Sequence, residues 1–262
     1  MSPKPTWIFL RGLARESRHW GRFLTTFEYT LPESQVVTLD LPGNGHLNQL
    51  RSPLSVDAMV EHCRAELAWR AIKPPHQVLA MSLGGMVSVA WAQAYPDEIA
   101  AQVLINTSMR PFSPFYQRLR PENYARLLRL LLGFASAQAW ERTILDLTSY
   151  QYPEDVLPQW LTLRQTHPVS SANVLRQLIA AARFSAKHPA PKAATLVLAS
   201  PQDRLVAVTC SQTLARLWAC PLRLHPSAGH DLTLDDGPWV AAQVSDWLVN
   251  IPYTQLFKNE IP

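Results

Sequence analysis

Six short apolar runs, at residues 6–10, 36–39, 78–81, 102–105, 195–198 and 222–225, set the rhythm of the chain. Most are near-continuous stretches of Val, Ile, Leu or aromatic residues, as expected of strands covered on both faces. Helical spacing fills the intervals. Trp20, Phe23 and Leu24 share one face of a helix with Ser17 as its expected N-cap. Val56, Met59, Val60, Cys63 and Leu67 share a face over 55–69, and Met86, Val87, Val89 and Ala90 belong to a helix ending near Tyr95. Further helices are predicted at 208–218 and 238–248. Strands alternating with helices imply a parallel sheet sandwiched between helical layers.

The alternation is interrupted once. No convincing strand falls between 110 and 187, where helices are predicted around 122–132, 135–147, 155–165 and 171–185. A mostly parallel, doubly wound α/β core formed by residues 1–108 and 191–262 therefore carries a helical cap at 109–190. The insertion follows the carboxyl end of a strand, where loops surround the ligand crevice, so it is expected to lie over the site as a lid.

With 262 residues, 47% of them hydrophobic and 17% charged, the chain can bury a full core. No secretory leader and no bilayer-spanning run is recognisable, so a cytoplasmic monomer is the expectation. Cys63, Cys210 and Cys220 lack metal-ligand spacing and are expected to be reduced. No basic block with interleaved aromatics suggests a nucleic-acid partner. The tail at 251–262 reads as loosely held.

The chemistry concentrates in three loops. Val78-Leu79-Ala80-Met81-Ser82-Leu83-Gly84-Gly85 reads as a strand, a tight turn and a helix start, with small residues around Ser82. Serine before a helix is also a common N-cap. A hydroxyl becomes a nucleophile only beside a base, and the base works best with its tautomer fixed by a carboxylate. Asp203 lies in the loop after the strand at 195–198, and His230 in the loop after the strand at 222–225. Asp203 could instead cap the next helix, and His230 could be an ordinary loop histidine. All three fall in successive loops in the order serine, acid, histidine.

With R-G-L-A-R-E-S-R-H-W at 11–20, D-L-P-G-N-G-H at 40–46, M-S-L-G-G at 81–85, S-P-Q-D-R-L-V at 200–206 and S-A-G-H-D-L at 227–232, the chain resembles the α/β-hydrolase family. The resemblance covers roughly 6–108 and 192–250. It implies the α/β-hydrolase fold, catalysis by Ser82, His230 and Asp203, and an oxyanion hole made by the backbone N–H groups of Leu13 and Leu83. It implies neither metal nor organic cofactor. The family's first loop usually begins His-Gly. Here Arg11 precedes Gly12, either as a structural substitute or as a charge in the pocket.

Carboxylic-ester hydrolysis is the expected activity. A lyase or carbon–carbon hydrolase with the same residues, or a non-catalytic binding protein, are the alternatives. Residues 109–190 hold nine Arg and one Lys against five acidic residues. Arg110, Arg118, Arg120, Arg126 and Arg129 fall close together with only Glu122 opposing, among Phe112, Phe115, Tyr116, Leu127, Leu128, Leu131, Leu132, Phe134, Trp140 and Trp160. Such a cluster suits an acyl chain on an anionic handle, with an acidic acyl carrier protein as the expected partner. In size and layout the chain is broadly similar to family carboxylesterases that cleave methyl esters of pimeloyl carrier protein in biotin synthesis.

Overall fold

Residues along each central strand alternate between two faces, and this divides the core into two layers. Ile8, Leu10, Val78, Ala80, Leu104 and Val197 face one layer, while Trp7, Phe9, Leu79, Met81, Val103, Ile105, Leu196 and Leu198 face the other. The computed structural model describes residues 4–132 and 135–251. Phe134 and nearly all of the predicted loose tail therefore lie outside the described residues.

The first half of the chain runs β1 (Thr6–Leu10), α1 (Phe23–Thr30), β2 (Gln35–Leu39), α2 (Val56–Trp69), β3 (His76–Met81), α3 (Leu83–Ala94) and β4 (Ile99–Ile105). Among the described residues five α-helices follow: α4 (Phe115–Arg118), α5 (Tyr124–Leu131), α6 (Ala137–Thr148), α7 (Val156–Thr166) and α8 (Ser171–Arg183). The sheet then resumes with β5 (Ala194–Ala199), α9 (Val208–Trp218), β6 (Leu222–Leu224), α10 (Leu232–Asp235) and α11 (Gly237–Val249).

Among the described residues all six strands are parallel, in the order β2-β1-β3-β4-β5-β6. Ile8 pairs with Val37 on one side and Val78 on the other, so the order reverses between β1 and β3. A crevice opens at the carboxyl ends of strands at such a reversal. No helix among the described residues is long and apolar enough to cross a membrane.

Two local expectations give way to the structure. Ser17 does not cap α1: residues Ser17–Trp20 form a 3-10 turn closed reciprocally by Glu16 and His19, and α1 begins only at Phe23. The Ser17 hydroxyl instead donates to Asp40 Oδ1 at 2.6 Å, because Asp40 at the end of β2 also receives the Ser17 N–H. β6 stops before His225, whose Nδ1 accepts the Ala228 N–H at 2.8 Å and folds the next loop around it. The short helix α10 follows that loop, and the Asp231 side chain caps it by accepting the Leu234 N–H.

Strand and helix meet closely at the turn after β3. A Cβ on Gly84 would sit 2.4 Å from the Leu10 carbonyl oxygen, and one on Gly85 would sit 2.7 Å from Thr107 Cβ. Gly84→Ala therefore pushes α3 off the end of β1. It is expected to lower stability by about 1–3 kcal/mol in urea melts, with a loss of activity beyond the change in folded fraction.

Candidate active site

Ser82 occupies the turn between β3 and α3 with φ 53° and ψ −115°, a conformation that L-residues rarely adopt. The turn is held by Ser82 N–H donating to the Ile105 carbonyl at 2.9 Å and by Thr107 Oγ1 donating to the Ser82 carbonyl at 2.7 Å. Its own hydroxyl makes no capping bond to α3. The strain thus leaves a hydroxyl free at the carboxyl edge of the sheet, the arrangement a nucleophile requires.

The loop after β1 runs past this serine. A Cβ on Gly12 would come within 3.2 Å of Ser82 Cβ, so only glycine allows the approach without displacement. Beyond it, the N–H of Ala14 donates to Gln177 Oε1 at 2.8 Å, while Gln177 Nε2 donates to Asn44 Oδ1 at 2.8 Å and to Ser52 Oγ at 3.1 Å. One buried amide on α8 thereby joins the loop after β1 to the turn after β2. Among the described residues, neither Leu13 N–H nor Leu83 N–H has a backbone acceptor. Both residues line the cavity that contains Ser82.

Asp203 and His230, far apart in sequence, are in direct contact and buried. His230 Nδ1 lies 2.7 Å from Asp203 Oδ2. The carboxylate can only accept, so Nδ1 carries the hydrogen and Nε2 is the free nitrogen. Asp203 Oδ1 accepts the N–H groups of Leu205 at 2.7 Å and Val206 at 3.0 Å, so the carboxylate shapes its own loop rather than capping α9, which starts after Ala207. Ser82 and His230 line one cavity, with no hydrogen bond between hydroxyl and imidazole; such contacts commonly tighten only around substrate.

Burial acts to lower the His230 pKa, but the charge and hydrogen bond of Asp203, helped by Asp231, outweigh it, and the imidazole is raised above its ordinary value despite Arg11. A base must be neutral to accept a proton, so activity is expected to rise with pH through a midpoint above about 6.5. Asp231→Asn removes a raising charge and leaves Arg11 unopposed. Both effects lower the His230 pKa, and the acidic limb of kcat/KM is expected to move to lower pH.

Several residues that position this pair carried no motif. Asn106, at the end of β4 with φ 44°, donates through Nδ2 to the His230 carbonyl at 2.8 Å and the Gly229 carbonyl at 3.2 Å, while its Oδ1 accepts the Ser200 N–H at 3.2 Å. It thus links the histidine loop to the acid loop. Asp235 accepts the Gly229 N–H at 2.6 Å and the Tyr150 N–H at 3.0 Å, tying the histidine loop to the end of α6. Arg120 donates to the Asp203 carbonyl at 3.0 Å.

Arg11 is a structural substitute that also charges the cavity wall. Its guanidinium grips Asp231 with Nη2–Oδ2 at 2.5 Å and Nη1–Oδ1 at 3.3 Å, lies 4.7 Å over the Trp20 ring, and is only 3% exposed. The residue after His230 and the residue before Gly12 are therefore bolted together beneath the site.

The cavity has a volume of about 1050 Å³, at the upper end of small-molecule pockets of roughly 300–1,000 Å³. Phe115, Leu127, Leu130, Leu131, Trp140 and Leu178, from α4, α5, α6 and α8, form its apolar wall. Phe112 instead packs edge-on to Trp218, and Trp160 joins Leu145 and Val156 in a separate cluster. Tyr116, Leu128 and Leu132 are exposed.

The five arginines named in the sequence do not act as one group. Arg110 and Arg118 line the cavity, Arg120 also pairs with Glu122 at 2.7 Å, and Arg126 and Arg129 are exposed on α5 away from the cavity wall. Burial pushes the Cys63 thiol up to about 12 and the Cys220 thiol to about 11, which leaves both unreactive. Among the described residues no three His, Cys, Asp or Glu side chains are grouped to hold a metal.

The same architecture recurs in known proteins. The chain is 22% identical to the human monoacylglycerol lipase ABHD6 over 263 residues, covering 96% of this chain and 77% of that protein. A thermophilic esterase from Thermogutta terrifontis superposes with a TM-score of 0.71 at 21% identity, covering 94% of this chain and 89% of the other. An esterase from Exiguobacterium antarcticum gives 0.75 at 12% identity, covering 95% and 94%. At these identities the structural likeness speaks for the fold alone. The sequence model of the alpha/beta hydrolase family matches residues 7–243, from β1 into α11. With a parallel sheet of six strands, a serine in the turn after β3 and an aspartate–histidine pair after β5 and β6, the chain belongs to the alpha/beta hydrolase family.

Proposed function

We propose that this chain hydrolyses a carboxylic ester with an extended aliphatic chain through an acyl-enzyme on Ser82. The observation that carries the reading is that His230, held by the buried Asp203, lines together with Ser82 a cavity of about 1050 Å³ with apolar walls. The monoacylglycerol lipase among the relatives agrees with it.

In this mechanism His230 Nε2 removes the Ser82 proton as Oγ attacks the acyl carbon. The N–H groups of Leu13 and Leu83 receive the oxyanion, a contribution of about 2.7–4 kcal/mol per donor in comparable sites. His230 then protonates the departing alkoxide and activates the water that frees the acid. Asp203 holds the tautomer and stabilises the imidazolium. A methyl ester on an acyl carrier protein is one narrower member of this substrate class.

A series of p-nitrophenyl esters from acetate to laurate tests the reading. We expect kcat/KM to rise with acyl length and level off once the cavity is filled, with one fluorophosphonate adduct per chain, on Ser82. No turnover of any ester, together with no adduct, would exclude ester hydrolysis. Acetate as the best substrate would exclude the extended chain.

A further inference from the structure

Among the described residues, two of the guanidinium groups in the cavity wall meet no carboxylate. Arg118, the last residue of α4, donates through Nη2 to the Ala181 carbonyl on α8 at 2.6 Å. Its Nε is sealed from solvent without an acceptor, and Nη1 makes no bond to the protein. Among the described residues no carboxylate acts on it, and the other cation it feels is Arg110. Arg110 also lines the cavity but is exposed to solvent, and it forms no ion pair among the described residues. The remaining cavity arginines are matched: Arg11 holds Asp231, and Arg15 Nη1 lies 2.7 Å from Glu141 Oε2.

A guanidinium keeps its charge at any accessible pH, so it cannot answer burial by neutralising. A charge taken from water into an apolar wall is unfavourable unless an opposite charge meets it. Arg118 is half-buried with its Nε sealed, and the Ala181 carbonyl satisfies another of its nitrogens but leaves the charge without a counterion among the described residues. Carboxylate and phosphate match the guanidinium fork in both shape and charge.

We propose that Arg118, with Arg110, forms an anion subsite inside the cavity that takes a carboxylate or phosphate carried by the ester held at Ser82. This deepens the ester-hydrolase reading and rests on it. The substrate is then an amphiphile with an aliphatic body against the walls of α5, α6 and α8 and an anionic group at α4. That group could terminate the acyl chain, as in a half-ester of a dicarboxylic acid, or belong to the alcohol, as in a glycerol phosphate ester.

Two matched pairs distinguish these sources. The first compares p-nitrophenyl hydrogen suberate with p-nitrophenyl octanoate, and the second compares 1-octanoylglycerol 3-phosphate with 1-octanoylglycerol. We expect one pair to show a preference of about 10- to 100-fold in kcat/KM for the anionic member, carried in KM. The preference should collapse in Arg118→Gln, return in part in Arg118→Lys, and persist in the charge control Arg216→Gln, on the exposed side of α9.

A tether between α4 and α8 with no ligand role would lower both members of each pair alike. The proposal is overturned if neither pair shows a preference or if the preference survives Arg118→Gln. Should none of the esters turn over, calorimetric binding of suberate and octyl phosphate to Ser82→Ala and to Ser82→Ala/Arg118→Gln decides. Binding lost with Arg118 supports the subsite, whereas no binding to either protein, or equal binding to both, overturns it. Fluorophosphonate labelling of Ser82 separates the two failures: labelled protein without anion preference loses only the subsite, and unlabelled, inactive protein loses the hydrolase reading.

Discussion

Ser82→Ala is expected to lower kcat for p-nitrophenyl octanoate by about 10⁴–10⁶-fold while leaving urea stability within about 0.5 kcal/mol of the parent. The two readouts together separate the roles a serine can fill at this position. A serine that caps a helix contributes about 1 kcal/mol, which alanine forfeits. Here the hydroxyl makes no capping bond to α3, and the turn is held by the backbone of Ser82 with Ile105 and Thr107. Alanine leaves those bonds in place and meets the same positive φ, so folding should scarcely register the change. His230→Ala should fall almost as far in kcat, because nucleophile and base act as a unit. A variant that keeps its turnover and loses about 1 kcal/mol would return Ser82 to the capping role.

Features that depend on local pattern were legible in the sequence. The helices predicted over 55–69 and 208–218 coincide with α2 and α9. Strands with apolar residues on both faces announced a sheet covered twice, and the two-layer core follows from it. Asp203 and His230 were found because each follows its strand at a short distance, and the structure places them in contact.

Features that depend on contacts between distant loops were hidden. Nothing near Asn106 signals that its amide would bridge residues 200, 229 and 230, and nothing near Gln177 signals that α8 would hold Ala14. Asp231 sits too close to His230 to serve as the third member, and its pairing with Arg11 spans 220 residues. Charge counting does not tell where Arg110, Arg118, Arg120, Arg126 and Arg129 point. The structure sends two of them into the cavity, one to the acid loop and two to the surface. Helical spacing tells which residues share a face but not which neighbour covers it.

Arg11→Met is expected to lower stability by about 3–5 kcal/mol at pH 7, because it strands Asp231 in the core without its cation. In the parent, burial acts to raise the Asp231 pKa, but the charge and hydrogen bonds of Arg11, with Thr233 and His230, override it and hold the carboxyl below the usual range. That lowered value stabilises the fold above the unfolded pKa of about 3.9, and the benefit fades as pH falls through the folded value. In the variant the balance reverses: burial is opposed less, the pKa rises, and the ionised carboxylate destabilises the fold. The gap between parent and variant should therefore narrow between pH 7 and pH 5 in urea melts. Replacing both partners, Arg11→Met with Asp231→Leu, removes the stranded charge and should restore much of the stability. Activity should not follow, since the pair also fixes the loop carrying Leu13 to the loop carrying His230, and hydrophobic substitutes leave that spacing loose. An unchanged pH dependence in the single variant would show that Asp231 finds solvent or another cation there, and the link between the two loops would have to lie elsewhere.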